Sequence, residues 1–282
     1  MKKILITALV SAFFIQCSTV PITGRKRVNF VSDAQILPMS FQQYDGFLKE
    51  NSSKVIKNTP QAKELVEVGN KIADAVDKFM RANGMTSEAN AYKWEFNLIN
   101  DKTINAWCMP GGKVVFYTGI MPICANTDGV AAVMGHEVAH AFAKHGQERM
   151  SSSQLQQYGG VAVAIATANE SPQKQQLWSM AYGLGSQVGV MLPFSRTHET
   201  EADKLGLVFM IMAGYKGEEA AKVWVRMSEN AKKSGQKAPP EFLSTHPSNQ
   251  SRIQTLRAYL PEAKALAAKY NKQAASVGSS KK

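Results

Sequence analysis

Residues 133–141 read VMGHEVAHA and contain the pattern H-E-x-x-H. The residues on both sides are apolar and favour helix, so we expect the pattern to lie on a buried helix. A helix turns by about 100° per residue, which places His136 and His140 about 40° apart on one face, where both imidazoles can bind one metal ion. Glu137 is one position further round, where it can accept a proton from a metal-bound water. Burying two unpaired histidines and a glutamate would be costly, so the stretch predicts a metal site rather than a chance match.

A catalytic zinc site takes three protein ligands and keeps a fourth position for water. We expect the third ligand to be a carboxylate on a second helix, and we assign it to Glu199 in the segment 195–206. Asp203 lies four residues later on the same helical face and is predicted to hold one ligand imidazole from behind. Glu201 is about 200° from Glu199 around the helix and is expected to point elsewhere. The alternative is a solvated acidic face, which the apolar residues of the segment disfavour. The pattern thus predicts one zinc ion per chain.

The chain has five histidines, three of them outside the H-E-x-x-H pattern. His145 follows His136 by nine residues, or about 180° on a continuous helix, so we expect it to face away from the site. His198 is about 100° from Glu199 on its own helix. His246 is then free to approach the metal from another element, either as a hydrogen-bond donor to the oxyanion or as a fourth ligand that displaces water. The alternative for His246 is a role in capping the final helix.

The remaining pattern predicts a mostly helical chain with one small sheet. Apolar residues at helical spacing predict helices over 40–51, 60–83, 151–192, 195–213, 217–233 and 248–259. Alternating or β-branched segments predict short strands over 92–100, 104–109 and 114–118. Since Pro110-Gly111-Gly112 is a turn between the last two strands, we expect the sheet to be antiparallel. The predicted fold class is therefore α+β and mostly helical, with a zincin-like arrangement in which the small antiparallel sheet lies beside the H-E-x-x-H helix.

Several motifs together resemble the gluzincin metallopeptidases, the family of HtpX, the Oma-type proteases and the CaaX prenyl proteases. Besides the H-E-x-x-H stretch, they are Ser195-Arg196 with Glu199 and Ala202-Asp203, Asn105-Ala106 with Pro110-Gly111-Gly112, and His246-Pro247 with Arg252-Ile253. The resemblance covers roughly residues 60–260 and is greatest to exported, lipoprotein-like members (LoiP-like proteins and the protease domain of BepA). It implies a zinc endopeptidase in which Glu199, not Glu201, binds the metal. It also implies that the strand near Asn105 and Ala106 pairs with an extended substrate.

The N-terminus resembles a bacterial lipoprotein signal. Lys2 and Lys3 precede an apolar run over 4–15, and Cys17 follows. The run is too short to span a membrane comfortably, so we predict a signal peptide over 1–16 and a lipid on Cys17, with a plain secretory signal as the alternative. This predicts a periplasm-facing, membrane-anchored lipoprotein of the outer membrane. The rest of the chain is predicted to form a tether over 17–40, a metallopeptidase domain over 41–271 and a disordered tail over 272–282.

The leading functional hypothesis is hydrolysis of misfolded or damaged proteins at the cell envelope, with Glu137 moving the proton from the water to the leaving amine. The main alternative is a non-catalytic or weakly proteolytic chaperone or assembly factor. A structural zinc module is disfavoured because such sites are usually closed and rich in cysteine. The expected partners are unfolded or damaged envelope proteins as substrates and a lipid membrane reached through the anchor.

Composition excludes few other classes of function. The chain of 282 residues is 44% hydrophobic, enough for one large domain or two small ones. Its formal charge of +11 comes from scattered lysines and arginines, without the aromatic residues and motifs typical of nucleic-acid binding, so no nucleic-acid partner is expected. Cys108 and Cys124 either form a disulfide or are two buried thiols, and the sequence favours neither.

Overall fold

The computed structural model describes residues 16–234, 241–247 and 250–279. Its strands are β1 (Gln16–Thr19), β2 (Lys26–Asn29), β3 (Val55–Ile56), β4 (Glu95–Ile99), β5 (Ala106–Met109) and β6 (Lys113–Tyr117). Its helices are α1 (Asp33–Glu50), α2 (Pro60–Ala82), α3 (Thr86–Ala91), α4 (Met121–Cys124), α5 (Thr127–Phe142), α6 (His145–Ala166), α7 (Pro172–Ser186), α8 (Leu192–Met212), α9 (Glu218–Ser234), α10 (Glu241–Thr245) and α11 (Gln250–Ser279). Helices make up most of the described chain, which confirms the predicted fold class.

The larger sheet has the strand order β3-β4-β6-β5. β5 and β6 form the predicted antiparallel hairpin, whose turn places Gly111 and Gly112 at φ values of 85° and 87°, a region that glycine adopts without strain. β3 and β4 are also antiparallel, but β4 and β6 run parallel, which the sequence did not predict. The chain reaches β6 from β4 through the edge strand β5. β5 lies next to α5. The sheet therefore presents an edge strand beside the H-E-x-x-H helix, as expected.

The helix α5 is the centre of the hydrophobic core. Every residue from 129 to 142 is buried, including both histidines of the pattern. The side chain of Asn126 caps the helix by accepting a hydrogen bond from the backbone N–H of Gly129 at 2.8 Å. α2, α8 and α9 pack around it. A helix that is apolar on all sides is stable only when neighbours cover it, so α5 is held rigidly by the elements that surround it.

The crossing of α5 and α8 depends on two glycines. A Cβ atom at Gly206 would lie 2.7 Å from the carbonyl carbon of Gly135, and one at Gly135 would lie 2.7 Å from the carbonyl oxygen of Gly206. The two backbones are therefore in direct contact at this point. This contact brings the face of α8 that carries Glu199 and Asp203 close to the face of α5 that carries the histidines.

The substitution Gly206→Val is expected to lower the thermal unfolding midpoint, because the added side chain meets rigid backbone and the two helices must separate. Overpacking of this kind costs about 1–3 kcal/mol. Gly183→Val is the matched control, since Gly183 is also helical but a Cβ atom added there would have nothing within 4 Å. Thermal denaturation of the two variants tests the prediction, and equal midpoints would show that the helices do not depend on this contact.

The predicted tether over 17–40 differs from the structure. This segment forms the antiparallel hairpin β1–β2 and the beginning of α1, which continues through Pro38. Val20 is fully buried, and the guanidinium of Arg27 donates a hydrogen bond of 3.0 Å to the carbonyl of Ala143 at the end of α5. The segment therefore packs on the domain, because its few apolar and basic side chains find partners there.

The final helix continues past its predicted end at residue 259 and into the segment predicted as a tail. α11 runs through Pro261 to Ser279. Its apolar side chains continue at helical spacing, and Tyr270 packs against Phe79 with ring centroids 4.7 Å apart. Gln273 donates a hydrogen bond of 2.8 Å to the carbonyl of Ala82. Residues 280–282 lie outside the described residues, as do residues 1–15 of the predicted signal peptide.

The hairpin of α6 and α7 contributes little to the core. Eight large hydrophobic residues on it are 53–72% exposed: Leu155, Tyr158, Val161, Ile165, Leu177, Trp178, Met180 and Leu184. Gly159 lets the two helices approach, since a Cβ there would collide with Tyr182. Within the described ranges, no helix has both the length and the apolar character that crossing a membrane requires.

Candidate metal centre

Four side chains from three separate elements bring their polar atoms to one point. Nε2 of His136 and Nε2 of His140, both on α5, lie 3.1 Å apart. The carboxylate of Glu199, on α8, lies 3.4 Å from Nε2 of His136 and 3.3 Å from Nε2 of His140. Nδ1 of His246, directly after α10, lies 3.2 Å from Nε2 of His136 and 3.0 Å from the Glu199 carboxylate. All four residues are buried, so the predicted metal ligands and His246 form one cluster.

This cluster has the donor types and the spacing that zinc requires. Zinc in proteins bonds histidine nitrogen and carboxylate oxygen at about 2.0–2.2 Å in a tetrahedron, which puts neighbouring ligand atoms about 3.3 Å apart. The observed separations are 3.0–3.4 Å. Hydrogen bonds alone do not explain the arrangement, because neutral imidazoles cannot supply protons to every close pair of nitrogens. The residues therefore fit a metal ion.

Glu137 lies beside the cluster with an unused acceptor. Its side chain is buried, and its Oε1 has no hydrogen-bond partner among the described residues. The same oxygen is 3.6 Å from Nε2 of His246. Burial raises the pKa of Glu137 to about 7. A carboxylate with a pKa near neutrality and a free oxygen is suited to accept a proton and return it.

A second carboxylate and an arginine support His136 from behind. Oδ1 of Asp203 is 3.1 Å from Nδ1 of His136, the contact that the helical spacing predicts. Arg252 of α11 donates two hydrogen bonds to Asp203, at 2.5 and 2.8 Å, and its Nη1 is 3.0 Å from Glu199. Its guanidinium stacks on Trp224, 3.5 Å from the ring centroid. The roles of Arg252 and Trp224 could not be predicted from the sequence, because these residues lie on distant elements and have no local pattern.

His145 stays outside the four-residue cluster, as predicted, but it lies directly behind a proposed ligand instead of facing away from the site. Nδ1 of His145 lies 2.9 Å from Nδ1 of the proposed ligand His140. The helical-spacing argument fails because α5 ends at Phe142 and Lys144 adopts a left-handed conformation with φ of 60°, so His145 begins a new helix. Burial lowers the pKa of His145 to about 4. Glu201 does not reach the four-residue cluster, as predicted, but its Oε2 lies 2.9 Å from Nε2 of His145.

The residues expected to contact substrate lie at the start of the edge strand. The side-chain carbonyl of Asn105 accepts a hydrogen bond of 2.9 Å from the backbone N–H of Ala106, and its amide donates to Glu241 at 2.9 Å. The carbonyl of Asn105 accepts from Tyr117 of β6, and hydrogen bonds in an antiparallel pair alternate along the strand. The C=O of Ala106 and both backbone groups of Cys108 therefore point away from β6. These groups are oriented to pair with a further strand.

The cysteines do not form a disulfide. Cys108 and Cys124 are both free thiols, the first partly buried on β5 and the second fully buried in α4. Burial raises the pKa of Cys108 well above its usual value, and the nearby Glu137 carboxylate raises it further. The influence of Glu137 on Cys108 reflects the closeness of β5 to the metal-binding helix.

Comparison with known proteins identifies the family. The model of Peptidase family M48 matches residues 67–260. The mitochondrial metalloendopeptidase OMA1 of Saccharomyces cerevisiae is 31% identical over 258 residues, which cover 89% of this chain and 71% of that protein. The mitochondrial metalloendopeptidase OMA1 of Schizosaccharomyces pombe is 32% identical over 251 residues, covering 89% of this chain and 68% of that protein. The beta-barrel assembly-enhancing protease of Escherichia coli is 30% identical over 178 residues, covering 61% of this chain and 36% of that protein.

These relatives overturn the predicted location. The lipoprotein-like N-terminus predicts a periplasm-facing, membrane-anchored protein of the outer membrane, but the two yeast relatives that match most of the chain are mitochondrial enzymes. Residues 1–15 and the side chain of Cys17 lie outside the described residues. The signal peptide and the lipid on Cys17 therefore stay predictions from sequence.

The family match spans the elements that build the cluster, from within α2 to within α11. It includes His136, His140, Glu199 and His246, while β1, β2 and α1 precede it. The relatives that match most of the chain carry the name metalloendopeptidase. The resemblance inferred from the motifs is thereby confirmed: the chain belongs to peptidase family M48 and is a metalloendopeptidase.

Proposed function

We propose that this chain is a zinc-dependent endopeptidase of protein quality control, which hydrolyses peptide bonds of misfolded or damaged proteins. The observation that carries the proposal is the convergence of four ligand atoms beside Glu137, whose Oε1 lacks a partner among the described residues. The edge strand β5 lies against the same helix and supplies backbone groups for an extended peptide.

In this proposal, His136, His140 and Glu199 hold one zinc ion per chain. A zinc ion held there would polarise the scissile carbonyl and lower the pKa of the attacking water. Glu137 would accept the proton of that water and pass it to the leaving amine, as its pKa near 7 allows. Asp203 accepts the Nδ1–H of His136 and fixes the orientation of that ring, and Arg252 holds Asp203 in place.

The substrate is proposed to bind as an added strand along β5. The C=O of Ala106 and the N–H and C=O of Cys108 would pair with an extended backbone, which gives affinity without requiring a particular side chain. Asn105 is a positioning residue here, because its side chain holds the N–H of Ala106 and connects the strand to Glu241. Only unfolded segments can offer a free extended backbone, so misfolded and damaged proteins are the substrates that fit this edge.

The preference for unfolded substrates can be tested with one substrate protein in two forms, a stable native form and a destabilised point variant of the same sequence. The enzyme is expected to cleave the destabilised form and to leave the native form intact, and a stabilising ligand of the substrate protein should restore resistance. Equal cleavage of both forms would contradict the proposed substrate class. Suppression of aggregation without any cleavage would favour the alternative, a chaperone or assembly factor.

His246 is proposed to be a fourth ligand in the resting enzyme. Its Nδ1 lies at ligand spacing from His136 and Glu199, and the residue is only 7% exposed, so it is not a solvent-facing capping residue. A fourth protein ligand occupies the position that water needs. The variant His246→Ala is therefore expected to keep zinc and to cleave unfolded substrate faster than the wild type in a steady-state assay. A loss of about 10²–10³ in rate would instead assign His246 as the oxyanion donor.

A further inference from the structure

A second group of buried polar residues lies behind His140, on the side away from the metal cluster. His145, Glu148, His198 and Glu201 are each at most 4% exposed. The rings of His145 and His198 stack with centroids 4.1 Å apart, and His198 lies 3.2 Å from the carboxylate of Glu148. Arg25, from the loop between β1 and β2, contacts both Glu148 and Glu201. This group connects the N-terminal segment to a proposed zinc ligand.

The contacts permit only one assignment of protons that leaves His140 able to bind zinc. Nε2 of His140 faces the metal cluster, so the ring proton is on Nδ1, which lies 2.9 Å from Nδ1 of His145. His145 must then accept through Nδ1 and carry its own proton on Nε2. That nitrogen is 2.9 Å from Oε2 of Glu201, which accepts it. The reverse assignment would aim an unprotonated nitrogen of His145 at a carboxylate, where the two acceptors would repel.

The N-terminal loop fixes the far end of this chain of hydrogen bonds. Nε of Arg25 donates to Oε2 of Glu201 at 2.7 Å, and its two Nη atoms donate to Glu148 at 2.9 and 2.5 Å. The hydroxyl of Thr23 also donates to Glu201. The loop is closed by hydrogen bonds of 2.8 Å from the N–H of Val20 to the C=O of Arg25 and of 3.0 Å from the N–H of Gly24 to the C=O of Val20. Arg25 lies outside residues 67–260, so this contribution is not part of the matched family domain.

We propose that His145 and Glu201 are positioning residues that fix the ring of His140 for zinc binding, and that Arg25 of the N-terminal segment holds Glu201 in this role. The inference rests on the proposed zinc site. A carboxylate behind a metal-bound histidine normally contacts it directly, as Asp203 contacts His136. Behind His140, the imidazole of His145 lies between the proposed ligand and the carboxylate of Glu201.

A second metal site in this group is the competing interpretation, since His145, Glu148 and His198 have the side-chain types that bind metals. Two observations favour the hydrogen-bond chain. Both nitrogens of His145 are already engaged, by His140 and Glu201. The guanidinium of Arg25 lies within 2.5–2.7 Å of both carboxylates, where it supplies the positive charge that a cation would bring.

The test compares Glu201→Gln with Glu148→Gln in the full-length protein. Both variants remove a buried carboxylate that pairs with Arg25, but it is Glu201 that accepts the hydrogen bond from His145. Zinc affinity is measured by competition with a chromogenic chelator, and the thermal midpoint of the metal-free protein is measured alongside. Loss of an outer partner of a metal ligand typically lowers metal affinity about 10–100-fold. We expect such a loss of zinc affinity for Glu201→Gln, whereas Glu148→Gln should bind zinc about as tightly as the wild type. The thermal midpoint of the metal-free protein should fall in both variants.

Equal zinc affinity of Glu201→Gln and the wild type would overturn the inference and leave Glu201 as part of an ion pair that only stabilises the fold. Arg25→Gln provides a second test that keeps both carboxylates, and we expect a smaller loss of affinity in the same direction. If Arg25→Gln binds zinc like the wild type, the N-terminal segment has no role in the site. Failure of the wild type itself to bind zinc would refute the proposed function rather than this inference. A second zinc equivalent that is lost in Glu148→Gln would support the competing metal site.

Discussion

Glu137→Gln is expected to abolish proteolysis while the protein keeps its metal. An amide has nearly the same shape as the carboxylate but cannot accept the proton of the attacking water, and loss of such a base costs about 10²–10⁴ in rate. The assay is kcat/KM on an unfolded substrate, together with the zinc content of the purified variant. Glu229→Gln, an exposed position on α9, is the control and should retain full activity. Substantial cleavage by Glu137→Gln would remove Glu137 as the base.

The same variant should not be destabilised in the metal-free state. Burial raises the pKa of Glu137 from 4.5 to about 7, so the folded protein holds this proton more tightly than the unfolded chain does. The raised pKa contributes to the free energy of unfolding below about pH 4.5, and this contribution is lost as the pH rises to about 7. At pH 8 the buried charge therefore opposes folding, and a neutral amide removes that cost. A thermal midpoint at pH 8 at or above that of the wild type would show that lost activity does not come from lost structure.

Glu199→Ala is expected to remove both zinc and activity. The carboxylate lies within 3.4 Å of the facing nitrogens of all three clustered histidines. In the wild type, the guanidinium of Arg252 lies 3.0 Å from Glu199. Without the Glu199 carboxylate, this positive charge remains close to the position of the metal. Outer partners alone contribute about 10–100-fold to metal affinity, so we expect a larger loss than this for a direct ligand.

Zinc per chain after dialysis, measured by atomic emission, checks the Glu199→Ala prediction. Glu229→Ala is the matched control and should retain one zinc per chain. A Glu199→Ala protein that keeps a full equivalent of zinc would contradict the assignment of Glu199 as a ligand. Loss of zinc without loss of proteolysis would contradict a metal-dependent mechanism.

The parts of the site that lie on single helices could be predicted from the sequence. The spacing of His136 and His140, and of Glu199 and Asp203, fixes which side chains share a face, because helical geometry is regular over four residues. The same regularity explains why Glu201 stays out of the four-residue cluster. The hairpin of β5 and β6 could be predicted for a similar reason, since its turn residues and alternating pattern are local.

Features that depend on one backbone angle or on distant elements could not be predicted. A single left-handed residue, Lys144, separates α5 from α6 and brings His145 behind His140. The contact of Gly135 with Gly206 joins two helices about 70 positions apart in the chain, and neither glycine has a local signature. Arg25 acquires its role only because the hairpin β1–β2 packs on the domain, which a segment with few apolar residues does not reveal.

The position of the metal is the most direct test of the central claim that this chain binds catalytic zinc through His136, His140 and Glu199. Crystals of the zinc-loaded protein would be measured at the zinc absorption edge, and the anomalous difference map would locate the ion. The structure predicts one peak, within about 2.0–2.2 Å of Nε2 of both histidines and of a carboxylate oxygen of Glu199. A peak among His145, Glu148 and His198 instead, or no peak beside His136 and His140, would contradict the claim.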